Sequence, residues 1–172
     1  MAVFWEHGYD ATTTDQLLEG MKLTRGSLYK AFDDKKALFL RALDLYDAQE
    51  VGKAVEILSD PSVEGRERIR SLFRSITDAV DSGNRMGCLL CSTLSGAAAQ
   101  EADISPRTLA SAEKLHIGFE TALCDSDGVE FPTEYARLLM AQYVGLRVLS
   151  RTGISSGAIR ESVDAVNALL HR

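Results

Sequence analysis

The chain has 172 residues, 45% of them hydrophobic, and a net charge of −6. That length and apolar content suffice for one domain or two small ones, while the acidity excludes a protein that coats nucleic acid indiscriminately. Three cysteines without regular paired spacing argue against a secreted disulfide framework. No apolar run is long enough to span a bilayer, and no basic-then-apolar leader is visible, so a cytoplasmic protein without membrane contact is expected.

The opening residues, Met1 to His7, read as the last two turns of a helix, with Val3 and Phe4 facing a core. Either the protein begins earlier or its first helix is short. Thr13 is an N-cap and Gln16, three residues on, completes a capping box. The helix it starts runs over 14–21, with Leu17, Leu18 and Met21 on one face. Lys22-Leu23 is a turn. Thr24 caps a second helix over 25–31 that buries Leu28 and leaves Arg25, Ser27, Tyr29 and Lys30 outside. Phe32 closes the packing, and Asp34 caps the helix that follows. Two short helices around a tight turn, the second with a polar N-terminal half, form the helix-turn-helix pattern; its second helix enters the DNA major groove. Residues 1–46 hold six Lys or Arg and seven Asp or Glu. Any DNA binding must therefore come from where charge is placed, not from its total.

Gly8-Tyr9, Thr12-Thr13, Leu17, Leu23-Thr24, Gly26-Ser27-Leu28-Tyr29, Phe32 and Lys35-Lys36-Ala37-Leu38 carry a resemblance in order and spacing. Over about thirty residues the segment resembles the DNA-binding domain of the TetR/AcrR family of bacterial repressors. Two positions depart from that pattern: Lys22 stands where the family usually has a turn glycine, and Ala31 where histidine is common. Lysine at φ > 0 is strained where glycine is not. In the family a further basic turn or two precedes the stretch matched by Met1 to His7, completing the first helix of the three-helix domain. The resemblance implies a three-helix head, Tyr29 and Lys35 as phosphate contacts, and a homodimer whose two heads read a pseudo-palindromic double-stranded operator.

From Asp34 the pattern stays helical to about Leu58. Leu38, Ala42 and Leu45 make one stripe, Phe39, Leu43 and Tyr46 another, and Gly52 is a possible kink. Residues 64–82 form an amphipathic helix with Ile69, Leu72, Phe73, Ile76 and Val80 inward. Residues 87–99 read as a buried helix. Ser105 is read as a cap, with Pro106 at the first helical position, of a helix carrying Leu109, Ala112, His116, Phe119 and Leu123 on one face. The span 132–151 is a long apolar helix with a Leu138, Leu139, Leu146 and Leu149 stripe, Tyr143 and Val144 pointing elsewhere. Ser155 caps a last helix with Ile159, Val163, Val166 and Leu170 in line. No strand-like alternation occurs. The fold expected is all-α: a helix-turn-helix DNA-binding domain over 1–46, its first helix shortened, then a helical effector-binding and dimerisation domain over 47–172.

The expected DNA contacts are Thr14, Arg25, Gly26, Ser27, Tyr29, Lys30 and Lys35. Phe73, Cys88, His116, Phe119 and Tyr143 are candidates for an effector pocket, against the plainer reading of each as core. Leu146, Ile159, Val163, Val166 and Leu170 are assigned to the dimer interface, since a stripe at the end of a chain has little left to cover it. Small residues Ala141, Gly145, Ser162 and Ala165 allow close helix approach there. Cys88 and Cys91 form a C-x-x-C at a helix start, where a thiol is acidified; a pair of small buried hydrophobes is the plainer account. Ligand spacing for zinc is lacking. No catalytic residue, cofactor or metal is expected. The function expected is a transcriptional repressor that releases its operator when a small molecule binds the C-terminal domain. Two alternatives stand: a redox or electrophile sensor acting through Cys88 and Cys91, and a helical interaction protein with a vestigial DNA-binding head.

Overall fold

Capping decides where the N-terminal helices begin. The computed structural model describes residues 1–170, so the last two residues of the expected second domain lie outside the described chain. Helix α1 spans Ala2–His7 and buries Phe4. Helix α2, Thr14–Met21, starts at the Thr13–Gln16 capping box: Gln16 N–H donates to Thr13 Oγ1 at 3.2 Å, and Thr13 N–H donates back to Gln16 Oε1 at 2.8 Å. The helix stops at Lys22, whose φ of 55° and ψ of 42° are left-handed; it is the only non-glycine residue with positive φ among those described. A lysine thus takes the strained turn position that glycine would fill freely. Thr24 caps α3, Arg25–Ala31, and Asp34 caps α4, Lys35–Tyr46, accepting from Ala37 N–H at 2.7 Å. Phe4 sits edge-on to Phe39, with centroids 4.9 Å apart, and pins α1 onto α4.

The helix that begins at Lys35 runs on to Ser59, but not regularly. Asp47–Val51 is one π-helical turn, and α5, Gly52–Ser59, resumes α geometry. The irregularity precedes Gly52, which is itself ordinary right-handed helix. Leu45 faces outward at 45% exposure, leaving Leu38, Phe39, Ala42, Leu43 and Tyr46 as the buried set.

The body is built on α6, Gly65–Asp81, whose predicted face is buried in full. At its first residue a Cβ would stand 1.8 Å from Ala122 O, so glycine is what lets α6 approach α8. Helix α7, Leu89–Ser95, is shorter than expected, because the chain breaks at Gly96 and continues as a 3₁₀ turn over Ala97–Gln100. Helix α8 spans Ser105–Cys124, with Ser105 and Pro106 inside its first turn and no side-chain cap. Its buried face is Thr108, Ser111, Leu115, Gly118, Phe119, Ala122 and Leu123. Leu109 is exposed and Ala112 and His116 are only half-buried, one helical step from the stripe expected. Helix α9, Pro132–Leu149, buries Ala136, Leu139, Tyr143 and Leu146, so Tyr143 belongs to the inner stripe, and Leu138 and Leu149 face out.

Helix α10, Ser156–Leu169, begins at the Ser155 cap. It lies against α6 and α9 of its own chain. Ile159, Val163, Val166 and Leu170 are buried there at 1–5% exposure, as is Leu146 at 3%. These five are core, not the free surface expected for a partner. The exposed face of α6 had no need of them, but its long apolar stripe needed one more helix, and α10 supplies it. Arg160 on Asp81 at 2.7 Å, and Arg85 on Ile154 O and Ser156 Oγ at 3.1 Å each, fasten α10 in place. The outward faces of α9 and α10 carry Leu138, Ala141, Gly145, Leu149, Ser162, Ala165 and Leu169. Among the described residues no strand occurs and no helix is long and apolar enough to cross a membrane.

Candidate nucleic-acid interface

Leu28 is the only buried residue of α3; the rest of that short helix is surface. Arg25, Gly26, Ser27, Tyr29 and Lys30 are all exposed. Nothing lies within 4 Å of where a Cβ on Gly26 would stand, so a partner surface can approach the backbone there. Ser27 is organised by the cap: its N–H donates to Thr24 Oγ1 at 3.2 Å, and the two hydroxyls are 3.0 Å apart. Arg25 Nη2 donates to Asp15 Oδ1 at 2.7 Å, both side chains being mostly in solvent. A pair so exposed contributes little and opens at small cost. Thr14, the first residue of α2, is half-buried beside this face.

Lys35 is placed differently. Its Nζ donates to Thr12 O at 2.8 Å and lies 4.6 Å from the centroid of the Tyr9 ring. It ties the start of α4 to the loop before α2, so its ammonium already has partners within the head.

Several long-range contacts join this head to the body. Lys36 pairs with Asp103 at 2.8 Å, and Arg107 with Asp44. Asp47, in the π turn, accepts from Ser111 Oγ at 2.6 Å and from Lys114 Nζ. On the other side Trp5 Nε1 donates to Gly87 O at 3.3 Å, and the Trp5 ring stands edge-on to Tyr46 at 4.9 Å. Arg151, just past α9, donates to Trp5 O at 2.7 Å, Glu6 O at 2.8 Å and Met86 O at 2.5 Å. One guanidinium thus holds the end of α1, the loop before α7 and the end of α9 together. Gly87 must be glycine: its φ is +64°, and a Cβ would stand 2.6 Å from Arg147 O.

The residues considered for an effector pocket do not gather around one space. Phe73, Phe119 and Tyr143 fill the middle of the body, their centroids 6.1–6.2 Å apart. They pack on one another as core. His116 is separate, on a shallow cleft with Leu109 and Arg137; its Nδ1 is 3.8 Å from Glu113 Oε1 and its Nε2 has no partner. Cys88 is the N-cap of α7, and its sulfur accepts from Cys91 N–H at 3.4 Å. A hydrogen bond from the Cys91 thiol lowers the Cys88 pKa to about 6, with the Arg147 charge and the Tyr46 hydroxyl assisting against the opposing effect of burial. The same bond, with burial, pushes the Cys91 thiol up. Trp5, Arg147 and Arg151 escaped the sequence reading. Their partners lie far along the chain, and no local pattern marks them.

Residues 1–42 match the sequence model described as "Bacterial regulatory proteins, tetR family". The HTH-type transcriptional repressor ComR of Escherichia coli (strain K12) is 33% identical over 101 residues, covering 55% of this chain and 47% of ComR. The uncharacterized HTH-type transcriptional regulator YezE of Bacillus subtilis (strain 168) is 32% identical over 83 residues, covering 48% of this chain and 42% of YezE. The aligned part thus spans less than half the length of these curated relatives. The fold is similar to the reduced form of E. coli NemR, with a TM-score of 0.80 and 19% identity over 96% of this chain and 89% of NemR. It is also similar to SCO4454, a TetR-family regulator from Streptomyces coelicolor, with a TM-score of 0.79 and 20% identity over 99% and 90% of the two chains. The N-terminal domain is thus similar to that of the tetR family of bacterial regulatory proteins, and the chain as a whole shares the fold of solved regulators such as SCO4454.

Proposed function

We propose that the protein is a homodimeric transcriptional repressor that binds a pseudo-palindromic operator and releases it when a small molecule enters the helical body. One observation carries the reading: α3 exposes Arg25, Gly26, Ser27, Tyr29 and Lys30 around a single buried leucine. It does so on a head, residues 1–46, fastened to the body, residues 47–172, by Arg151 on Trp5 O and by Lys36 on Asp103. In this reading Arg25 leaves Asp15 to reach a base edge. Ser27, Tyr29, Lys30 and Thr14 meet phosphates, and Lys35 holds the head in shape beside them. The dimer forms through the outward faces of α9 and α10, where Leu138, Leu149 and Leu169 surround Ala141, Gly145, Ser162 and Ala165; two heads then sit one DNA turn apart.

The test is binding to labelled DNA from upstream of the protein's own gene, beside random duplex of equal length. Arg25→Ala should lower affinity for the specific DNA by about 1–3 kcal/mol and leave random DNA nearly unchanged. Lys30→Ala should weaken both and reduce the salt slope by about one unit. Equal effects of both substitutions on both duplexes would refute this division of roles. Absence of any specific binding would favour a helical interaction protein with a vestigial head.

A second reading is favoured by the acidified thiol of Cys88 beside Cys91. Here a peroxide oxidises the Cys88 thiolate to a sulfenic acid and leaves as hydroxide. The Cys91 thiol then displaces water to form the Cys88–Cys91 disulfide. Loss of two hydrogens by mass after peroxide treatment, accompanied by a fall in operator affinity, is the expected sign. Oxidation without change in operator affinity would remove this reading.

A further inference from the structure

The cleft of about 270 Å³ where head and body meet has an unusual combination of walls. Trp5 comes from α1, Ile57 from α5, Leu72 and Ile76 from α6, and Arg147 from α9. The only acidic residue lining it, Glu50, is already neutralised by Lys53 at 2.8 Å. Arg147 is not neutralised in this way. Its Nε donates to the Tyr143 hydroxyl at 3.2 Å, and its guanidinium lies 5.4 Å from that ring's centroid. Among the described residues no carboxylate lies within ion-pair distance of it. The acid beside it is the Cys88 thiol, a single sulfur, whereas a bidentate carboxylate is the partner that the planar guanidinium fits best.

We propose that this cleft binds a small apolar carboxylate, with its carboxylate on Arg147 and its hydrocarbon against Trp5, Leu72 and Ile76. The apolar walls remove hydrocarbon from water, and the arginine selects the acid over its neutral analogue. The site differs from the Phe73–Phe119–Tyr143 cluster, which is filled. It also touches the coupling residues directly. Trp5 is the side chain on Gly87 O, and its carbonyl is one of the three that Arg151 holds. An occupant that moves Trp5 therefore pulls on the tie between α1 and α9. The regulatory consequence rests on the ligand-responsive reading above; the binding itself does not.

Trp5 is the only tryptophan in the chain, so its emission reports the cleft without a label. Titration of the full chain with benzoate and hexanoate should give saturable changes in Trp5 emission. Benzamide and hexanamide should bind about tenfold or more weakly, the loss expected when a charge-assisted pair becomes a neutral one. Arg147→Gln should abolish the preference for the acid. Because Arg147 also supports Tyr143, Ala79→Phe serves as the second variant: it fills the cleft from α6 with the arginine intact, and should abolish saturation by both acids. No saturable response in the wild-type chain, equal affinity for acids and amides, or unchanged binding in Ala79→Phe would each overturn the site. The same acids are then added to the complex with upstream DNA. A carboxylate that saturates Trp5 but leaves operator affinity unchanged refutes the regulatory reading, with the binding site upheld. A silent Trp5 refutes the site, whatever the DNA does.

Discussion

Cys88 shows how far a single residue's chemistry depends on its neighbours. Burial alone would raise its pKa. A hydrogen bond from the Cys91 thiol outweighs that, with Arg147, the Tyr46 hydroxyl and the Cys91 N–H adding to it, and the pKa falls to about 6. Replacing Cys91 by Ala removes the largest of these contributions, so Cys88 should titrate well above 6, read as the ultraviolet absorbance of the thiolate. An unchanged midpoint would mean that Arg147 and the helix end carry the shift. The sign for stability follows from linkage. A group whose folded pKa is depressed stabilises the fold increasingly as pH rises from about 6 towards its ordinary value, and that contribution is lost as pH falls through 6. The melting temperature of the wild-type chain should accordingly rise relative to Cys88→Ser across that interval, and the difference between the two should stop changing with pH below it.

At the scale of elements, α10 carries the largest revision. Its apolar stripe is where periodicity places it, yet its partner is α6 of the same chain rather than a second copy. Val163→Asp is therefore a core lesion. It forfeits the burial of a valine and places a carboxylate among apolar side chains, at a cost of about 3 kcal/mol or more. For a chain of this length that lowers the melting temperature by roughly 6–12 °C, measured by circular dichroism. Leu138→Glu is the contrasting change. Leu138 is 42% exposed, so the fold and its melting temperature should stay close to wild type while the proposed dimer dissociates, seen by analytical ultracentrifugation. A Leu138→Glu protein that keeps the wild-type mass would remove the outward face of α9 from the interface.

At the scale of the whole molecule, the head does not hang from the body by α4 alone. Arg151 closes a second connection on the far side of the π turn, and Asp47 anchors the turn itself to α8. The π turn leaves a place where a continuous helix can change its winding, a recurrent feature of functional sites. Arg151→Gln should release the α1 carbonyls. Faster amide hydrogen exchange in α1 and the 84–88 loop is expected, with α10 unaffected, together with loss of any effector response in operator binding. If exchange in α1 is unchanged, Trp5 and Tyr46 hold the head without the arginine.

How much of this could be read from the sequence differs from residue to residue. Thr13, Gln16, Thr24, Asp34 and Ser155 mark helix starts that the structure contains, because capping is satisfied within three residues of chain. The α6 stripe was equally legible, since one residue type repeats at helical spacing with charge opposite. Periodicity was less informative for α8 and α9, which are apolar on more than one side. Which side is inside there depends on the neighbours, and Tyr143 proved inner and Leu109 outer. The sequence by itself determined the caps at Thr13, Thr24, Asp34 and Ser155 and the helix-turn-helix with its exposed Arg25, Tyr29 and Lys30, all of which rest on interactions between near neighbours. Only the tertiary structure decided that α10 covers α6, that Phe73, Phe119 and Tyr143 fill the core, and that Arg151 meets α1. Those contacts join residues up to 146 positions apart, and which of many apolar faces or carbonyls lies opposite is settled by the packing of all the helices together.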